Sequence, residues 1–196
     1  MGDGMRKQER QDGSGRLFGG GKAWGWLSGM AALGVGVILA GCYDADKPSP
    51  TASDILGNPA YKAMSYSGWR TTSRAESLCP TVEEIKEDLL LMEAMGVRLI
   101  RTYNTQLYPQ TERILAAIKE LKAVDPEFTM FVMLGAWIQC KGAYTDRAVH
   151  DREDLEQNKR EIERAIALAA AYPEEIKIIA VGNEAMVHWQ PHHVVP

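Results

Sequence analysis

The sequence predicts an α/β fold in which a parallel β-sheet carries its helices on the outside. Three observations lead there. The chain has 196 residues, 45% of them hydrophobic and 24% charged, the balance of one globular domain and not of a disordered chain. Four short runs are almost continuously apolar, as strands buried on both faces are. Segments of helical period separate these runs, giving the order β-α-β-α-β-α-β with strand starts roughly 30 to 50 residues apart, a spacing that suits right-handed crossovers.

The first strand candidate is Ala63-Met64-Ser65-Tyr66-Ser67, followed by a loop from Gly68 to Pro80. Thr81-Val82-Glu83-Glu84 reads as a capping box, with Thr81 as N-cap and Glu84 at the third helical position. Ile85, Leu89, Met92 and Met95 keep helical spacing, and Gly96 ends that helix. Val97 to Tyr103 is the second strand, Glu112 to Val124 the second helix, and Phe128 to Ile138 holds the third strand and runs into a loop. Gln157 to Tyr172 is the third helix, with Asp151 to Glu156 offered as its first turns. Asp151 to Glu163 interleaves acids with Arg152, Lys159 and Arg160 and reads as a solvated helix face. Ile176 to Val181 is the fourth strand. A doubly wound sheet and a barrel both fit this rhythm. No G-x-G-x-x-G follows the first strand, where the chain has Ser67-Gly68-Trp69-Arg70, so a nucleotide-binding fold has little support.

Composition removes several function classes. Lys and Arg number 22 against 26 Asp and Glu, a net charge of −4 that excludes nucleic-acid binding through bulk positive charge. Three cysteines are too few for a disulfide-scaffolded miniprotein, and one long apolar run excludes a multi-pass membrane protein.

That run lies at the N-terminus. Residues 1–22 are Gly-rich and carry Arg6, Lys7, Arg10, Arg16 and Lys22; an uncharged stretch from Ala23 to Gly41 follows. A basic flank before a short apolar core reads as an export signal. It ends in Leu39-Ala40-Gly41-Cys42, which resembles the lipobox of bacterial lipoproteins. The resemblance implies that Cys42 is lipidated and becomes the new N-terminus, holding the protein at a membrane without spanning it. A signal anchor with an incidental cysteine is the alternative. The organisation expected is a signal segment over 1–42, a flexible tether rich in Pro and polar residues over 43–60, and the α/β domain over 61–196. Export also makes a disulfide between Cys79 and Cys140 a candidate, since both lie in loops leaving the carboxyl ends of strands.

In α/β folds the chemistry gathers at the carboxyl ends of the strands. Those ends carry Tyr66 to Arg70, Arg101 to Asn104, Gly135-Ala136-Trp137 and Gly182-Asn183-Glu184. Aromatic faces stack on sugar C–H faces, amides and arginine bond hydroxyls, and a carboxylic acid protonates a glycosidic oxygen. Each residue also has a plainer reading. Gly-Asn-Glu suits a turn and helix cap, Trp69 and Trp137 suit hydrophobic plugs, Arg101 suits an ion pair, and Tyr66 suits a buried ring. His188 and His192 are four apart, but Pro191 stands between them and no cysteine or carboxylate completes a set, so no metal is expected.

Val181-Gly182-Asn183-Glu184, with Leu99-Ile100-Arg101-Thr102-Tyr103-Asn104, resembles glycoside hydrolase family 17, the β-1,3-glucanase family, and its bacterial members in particular. The resemblance spans about Lys62 to Trp189 and implies the N-terminal half of a (β/α)8 barrel with a retaining mechanism. It makes Glu184 the general acid/base and Asn183 the partner of the sugar 2-hydroxyl. Arg101 and Tyr103 would line the neighbouring subsite, with Tyr66 and Trp137 as further substrate contacts. The family's second glutamate lies at the end of strand seven, and this chain stops at Pro196, after strand four. The expectation is therefore a β-glucan-acting hydrolase or transglycosylase that needs no cofactor and is inactive as this chain alone. It would be lipid-anchored in the cell envelope, with β-glucan as partner and its oligomeric state open. The alternative is a non-catalytic glycan-binding lipoprotein.

Overall fold

The computed structural model describes residues 48–195; the signal segment, Cys42 and the start of the expected tether lie outside them. No helix among the described residues is long and apolar enough to cross a membrane.

Among the described residues, four α-helices and six strands follow in chain order, besides a 3-10 turn at Glu76–Leu78: α1 (Ala52–Ile55), β1 (Lys62–Ser65), α2 (Val82–Ala94), β2 (Val97–Arg101), α3 (Gln110–Val124), β3 (Phe131–Ala136), β4 (Cys140–Lys141), β5 (Val149–Glu153), α4 (Leu155–Ala171) and β6 (Ile176–Val181). The main sheet runs β1-β2-β3-β6, every pair parallel. The capping box starts α2 as expected: the Glu84 amide donates to Thr81 Oγ1 at 3.2 Å, and the Thr81 amide donates to Glu84 Oε2 at 2.9 Å. Gly96, at φ 83°, turns the chain out of that helix and into β2.

The placement of the helices decides between the two α/β architectures. Ile85 and Leu89 of α2, Ile114 and Ile118 of α3, and Ala165 and Leu168 of α4 join Ile100, Val132 and Leu134 in one buried cluster. All three helices therefore cover the same face. With strands in sequential order, this is the arrangement of four successive strands of a (β/α)8 barrel, whereas a doubly wound sheet carries helices on both faces.

The opposite face holds Leu99 and Phe131, with Met133 and Ile178 packed against them. Its amino end is closed by Ile55 and Tyr61, and Ile55 is only 2% exposed. This differs from the expectation of an extended tether through residue 60. Thr51 and Asp54 cap a single helical turn, the Thr51 amide donating to Asp54 Oδ2 at 2.8 Å, and that turn delivers Ile55 beneath the sheet. A lone isoleucine among polar residues carries no periodic signal, so only the tertiary contact shows its role.

A second departure lies between β3 and α4. Val149–Glu153 is a strand paired antiparallel to Cys140–Lys141, not the first turns of a helix. Asp154 then caps α4, accepting from the Gln157 amide. The far edge of the sheet is apolar and open: Ile179 and Val181 of β6 and Ile162 and Ile166 of α4 are exposed.

Candidate active site

Arg101 closes β2 two residues after Leu99 and so lies on the face away from the helices. Its Nη2 donates to Asn183 Oδ1 at 3.1 Å, and its guanidinium lies 5.6 Å from the Tyr103 ring centroid. Its Nε is buried without a hydrogen-bond partner. The ends of β2 and β6, 82 positions apart in sequence, thus meet through one bond. Because arginine only donates, the Asn183 oxygen faces Arg101 and its NH₂ group is left for another acceptor.

β6 ends where the Gly182 amide donates to the Ala136 carbonyl at 2.8 Å. Gly182 sits at φ 80° and Glu184 at φ 51°. Glycine takes that conformation freely, but for glutamate it is uncommon and costs about 1–2 kcal/mol. Such strain persists where the surroundings hold it, commonly at functional sites. The Glu184 carboxylate is exposed and accepts from the Gln190 side chain.

Close approach between strands is written into Gly135. A Cβ there would meet the Thr102 carbonyl oxygen at 2.4 Å and the Tyr103 Cα at 2.6 Å. The Gly135 amide donates to Thr102 Oγ1 at 3.1 Å, locking the ends of β2 and β3 together beside Arg101 and Tyr103.

Trp137 follows β3 on the same rim. Its amide donates to Glu161 Oε1 at 3.0 Å, and its ring centroid is 4.4 Å from that of His192. Glu161 is 2% exposed, so the solvated face read over Asp151 to Glu163 is corrected at this position. The same Oε1 accepts the Thr105 amide at 2.6 Å, and Oε2 accepts Gln106 Nε2 at 2.9 Å. One carboxylate on α4 therefore ties down the loops that follow β2 and β3. Asn158, one turn earlier and also buried, exchanges two bonds of 3.0 Å with the Gln139 backbone. A signal for both existed in the sequence: Asn158 and Glu161 share the buried stripe of Ala165 and Leu168 at helical spacing.

One expected site residue is placed elsewhere. Tyr66 shares a face with Met64, which pairs with Ile100, so its ring turns toward the helices. Its hydroxyl donates to Asp88 Oδ2 at 2.8 Å, and burial, reinforced by that carboxylate, raises its pKa strongly. Tyr66 is a core residue, not a rim contact. Trp69, by the same loop, donates Nε1–H to Gln110 Oε1 at 3.1 Å and packs edge-on against Tyr108.

The expected disulfide is not formed: Cys79 and Cys140 are both buried and free. Each is held by its own loop. The Cys79 amide closes a 3-10 turn onto the Glu76 carbonyl and its own carbonyl accepts from Arg113, while the Cys140 amide donates to the His192 carbonyl. Burial raises the pKa of both thiols.

Sheet order, the packing of α2, α3 and α4 on one face and a polar rim of Arg101, Tyr103, Asn183, Glu184 and Trp137 define the fold as three βα units and a fourth strand of a barrel, with a candidate site at the strands' carboxyl ends. The solved structure of an endo-laminarinase from Formosa Hel1_33_131 is similar to this chain, with 50% sequence identity and a TM-score of 0.70. The similarity covers 74% of this chain and 36% of that one, so this chain spans about a third of the length of that protein. Neither a family model nor a curated protein matches the chain.

Proposed function

We propose that this chain is the N-terminal part of a retaining glycoside hydrolase of family 17 acting on β-1,3-glucan. The observation that carries the reading is the Arg101–Asn183 bond beside Glu184, in a chain 50% identical over its matched part to an endo-laminarinase. Glu184 acts as general acid toward the leaving oxygen and then as base toward water. Asn183, its oxygen engaged by Arg101, offers its NH₂ group to the sugar 2-hydroxyl. Tyr103 and Trp137 supply apolar faces to adjoining sugar rings. Retention needs a second carboxylate at roughly 5–5.5 Å as nucleophile. In this reading that group is supplied by further βα units that continue the sheet past β6. The open apolar edge at Ile179 and Val181 is where such units would continue the sheet.

The chain's place in the cell follows from its leader under the same proposal. Lipid on Cys42 anchors the domain to the bacterial cell envelope after export.

The test is a chimera joining residues 48–195 to the C-terminal part of the Formosa endo-laminarinase. The chimera is expected to cleave laminarin, and the chain alone is not. Laminarin binding without turnover by the chimera would favour a non-catalytic glycan-binding protein instead.

A further inference from the structure

We propose that His192 is the positioning residue of the Asn183–Glu184 turn. The inference deepens the reading of Glu184 as the acid and rests on it for its functional meaning. The turn is poorly suited to hold itself, since two of its residues have positive φ and one of them is Glu184. His192 returns to it from nine residues downstream and is 2% exposed. Its Nε2 lies 2.8 Å from the Asn183 carbonyl oxygen. A carbonyl only accepts, so Nε2 carries the hydrogen. In the neutral ring Nδ1 is then the acceptor, and the Tyr144 hydroxyl stands 3.0 Å away to donate to it. Every polar atom of the ring is thus assigned, and one tautomer is selected.

The ring is also held in place. Trp137 packs on it at 4.4 Å and Tyr144 stacks at 5.7 Å with an interplanar angle of 21°. Its backbone is pinned on both sides, the His192 carbonyl accepting the Cys140 amide at 3.0 Å and the Val194 amide donating to the Ala185 carbonyl at 2.6 Å. The Asn183 carbonyl belongs to the peptide unit that joins Asn183 to Glu184. Fixing that plane fixes the direction in which Glu184 leaves the backbone and the angle at which Asn183 meets Arg101. The β4–β5 hairpin thereby supports the turn through His192.

The experiment is ¹⁵N NMR on the full chain, comparing wild type with two variants. His192→Phe keeps a ring against Trp137 and Tyr144 but removes both hydrogen bonds. His192→Gln returns a donor at the Nε2 position. In wild type the ring is expected as the pure Nε2–H tautomer with a solvent-protected Nε2 proton. His192→Phe should shift or broaden the Asn183 and Glu184 amide signals and the Arg101 Nε–H signal, and His192→Gln should largely restore them. A packing role alone predicts the reverse order of the two variants. An Nδ1–H tautomer, a rapidly exchanging Nε2 proton, or unchanged Asn183 and Glu184 signals in His192→Phe would overturn the proposal. If His192→Phe does not fold, the wild-type tautomer and proton protection decide. None of these signals depends on Glu184 being the acid, a reading that fails separately if Glu184→Gln keeps activity in the chimera.

Discussion

Arg101 at the end of β2 and Asn183 just beyond β6 are joined by a 3.1 Å hydrogen bond across the mouth of the sheet. β3 lies between those two strands, so the bond spans the carboxyl end of a strand whose Gly135 lets the Thr102–Tyr103 backbone approach closely. A larger residue at 135 would push Tyr103 aside and part the pair.

Gly135→Ala is therefore expected to destabilise the domain by about 3 kcal/mol, the upper part of the range for overpacking, because the obstruction is backbone and cannot rotate away. Denaturant midpoints measure it. A change below about 1 kcal/mol would mean that the strands separate easily at this point.

Ile55→Ala should cost about 2–5 kcal/mol, as for other large-to-small changes at buried sites. The effect would be unexpected for a residue of a flexible linker. A surface change at the adjacent exposed Leu56, to Ala, serves as the control and should stay within about 0.5 kcal/mol. Equal effects at the two positions would contradict the role of α1 as a cover for the sheet's amino end.

Glu161→Ala removes the shared acceptor of the Thr105 and Trp137 amides. Those two amides and Gln106 Nε2 all lose this acceptor, and the expected loss is about 3 kcal/mol. Trp137 should become more solvent-accessible, seen as a red shift of its fluorescence. Stability loss without that shift would separate Glu161 from the geometry of the rim.

Tyr66 gives a dependence on alkaline pH. Its folded-state pKa is raised above the ordinary tyrosine value, so its contribution is fully present below about pH 10. Above that the unfolded chain loses the proton first, and stability falls as pH rises. Tyr66→Phe should flatten that fall while costing about 1–3 kcal/mol at neutral pH through the lost bond to Asp88. Urea midpoints between pH 8 and 11 for both proteins test it; parallel curves would show that Tyr66 is not the group responsible.

The main sheet and its helices were legible because they rest on local signals. The Thr81–Glu84 box, Gly96 and the apolar runs of β2, β3 and β6 each state their own structure. Arg101, Tyr103, Asn183 and Glu184 were legible for the same reason, lying next to strands that could be read. What escaped depends on tertiary contact. β5 is the polar string Val149-His150-Asp151-Arg152-Glu153, with a partner strand of two residues and no apolar alternation to mark it. His192 looks like one of several C-terminal histidines until its ring is seen against Asn183. Two misreadings had readable signals: the two-residue alternation through Met64 turns Tyr66 from the rim, and the helical stripe of Ala165 and Leu168 takes in Glu161.

The most direct test of the central claim compares leaving groups in the chimera carrying Glu184→Gln. An acid/base glutamate matters most where the leaving oxygen needs a proton, so laminarin cleavage should fall by about 10²–10⁴-fold. Release of a good leaving group from an aryl β-glucoside should fall far less in the first, glycosyl-enzyme-forming step. Equal loss on both substrates, or full activity on laminarin, would show that Glu184 is not the general acid.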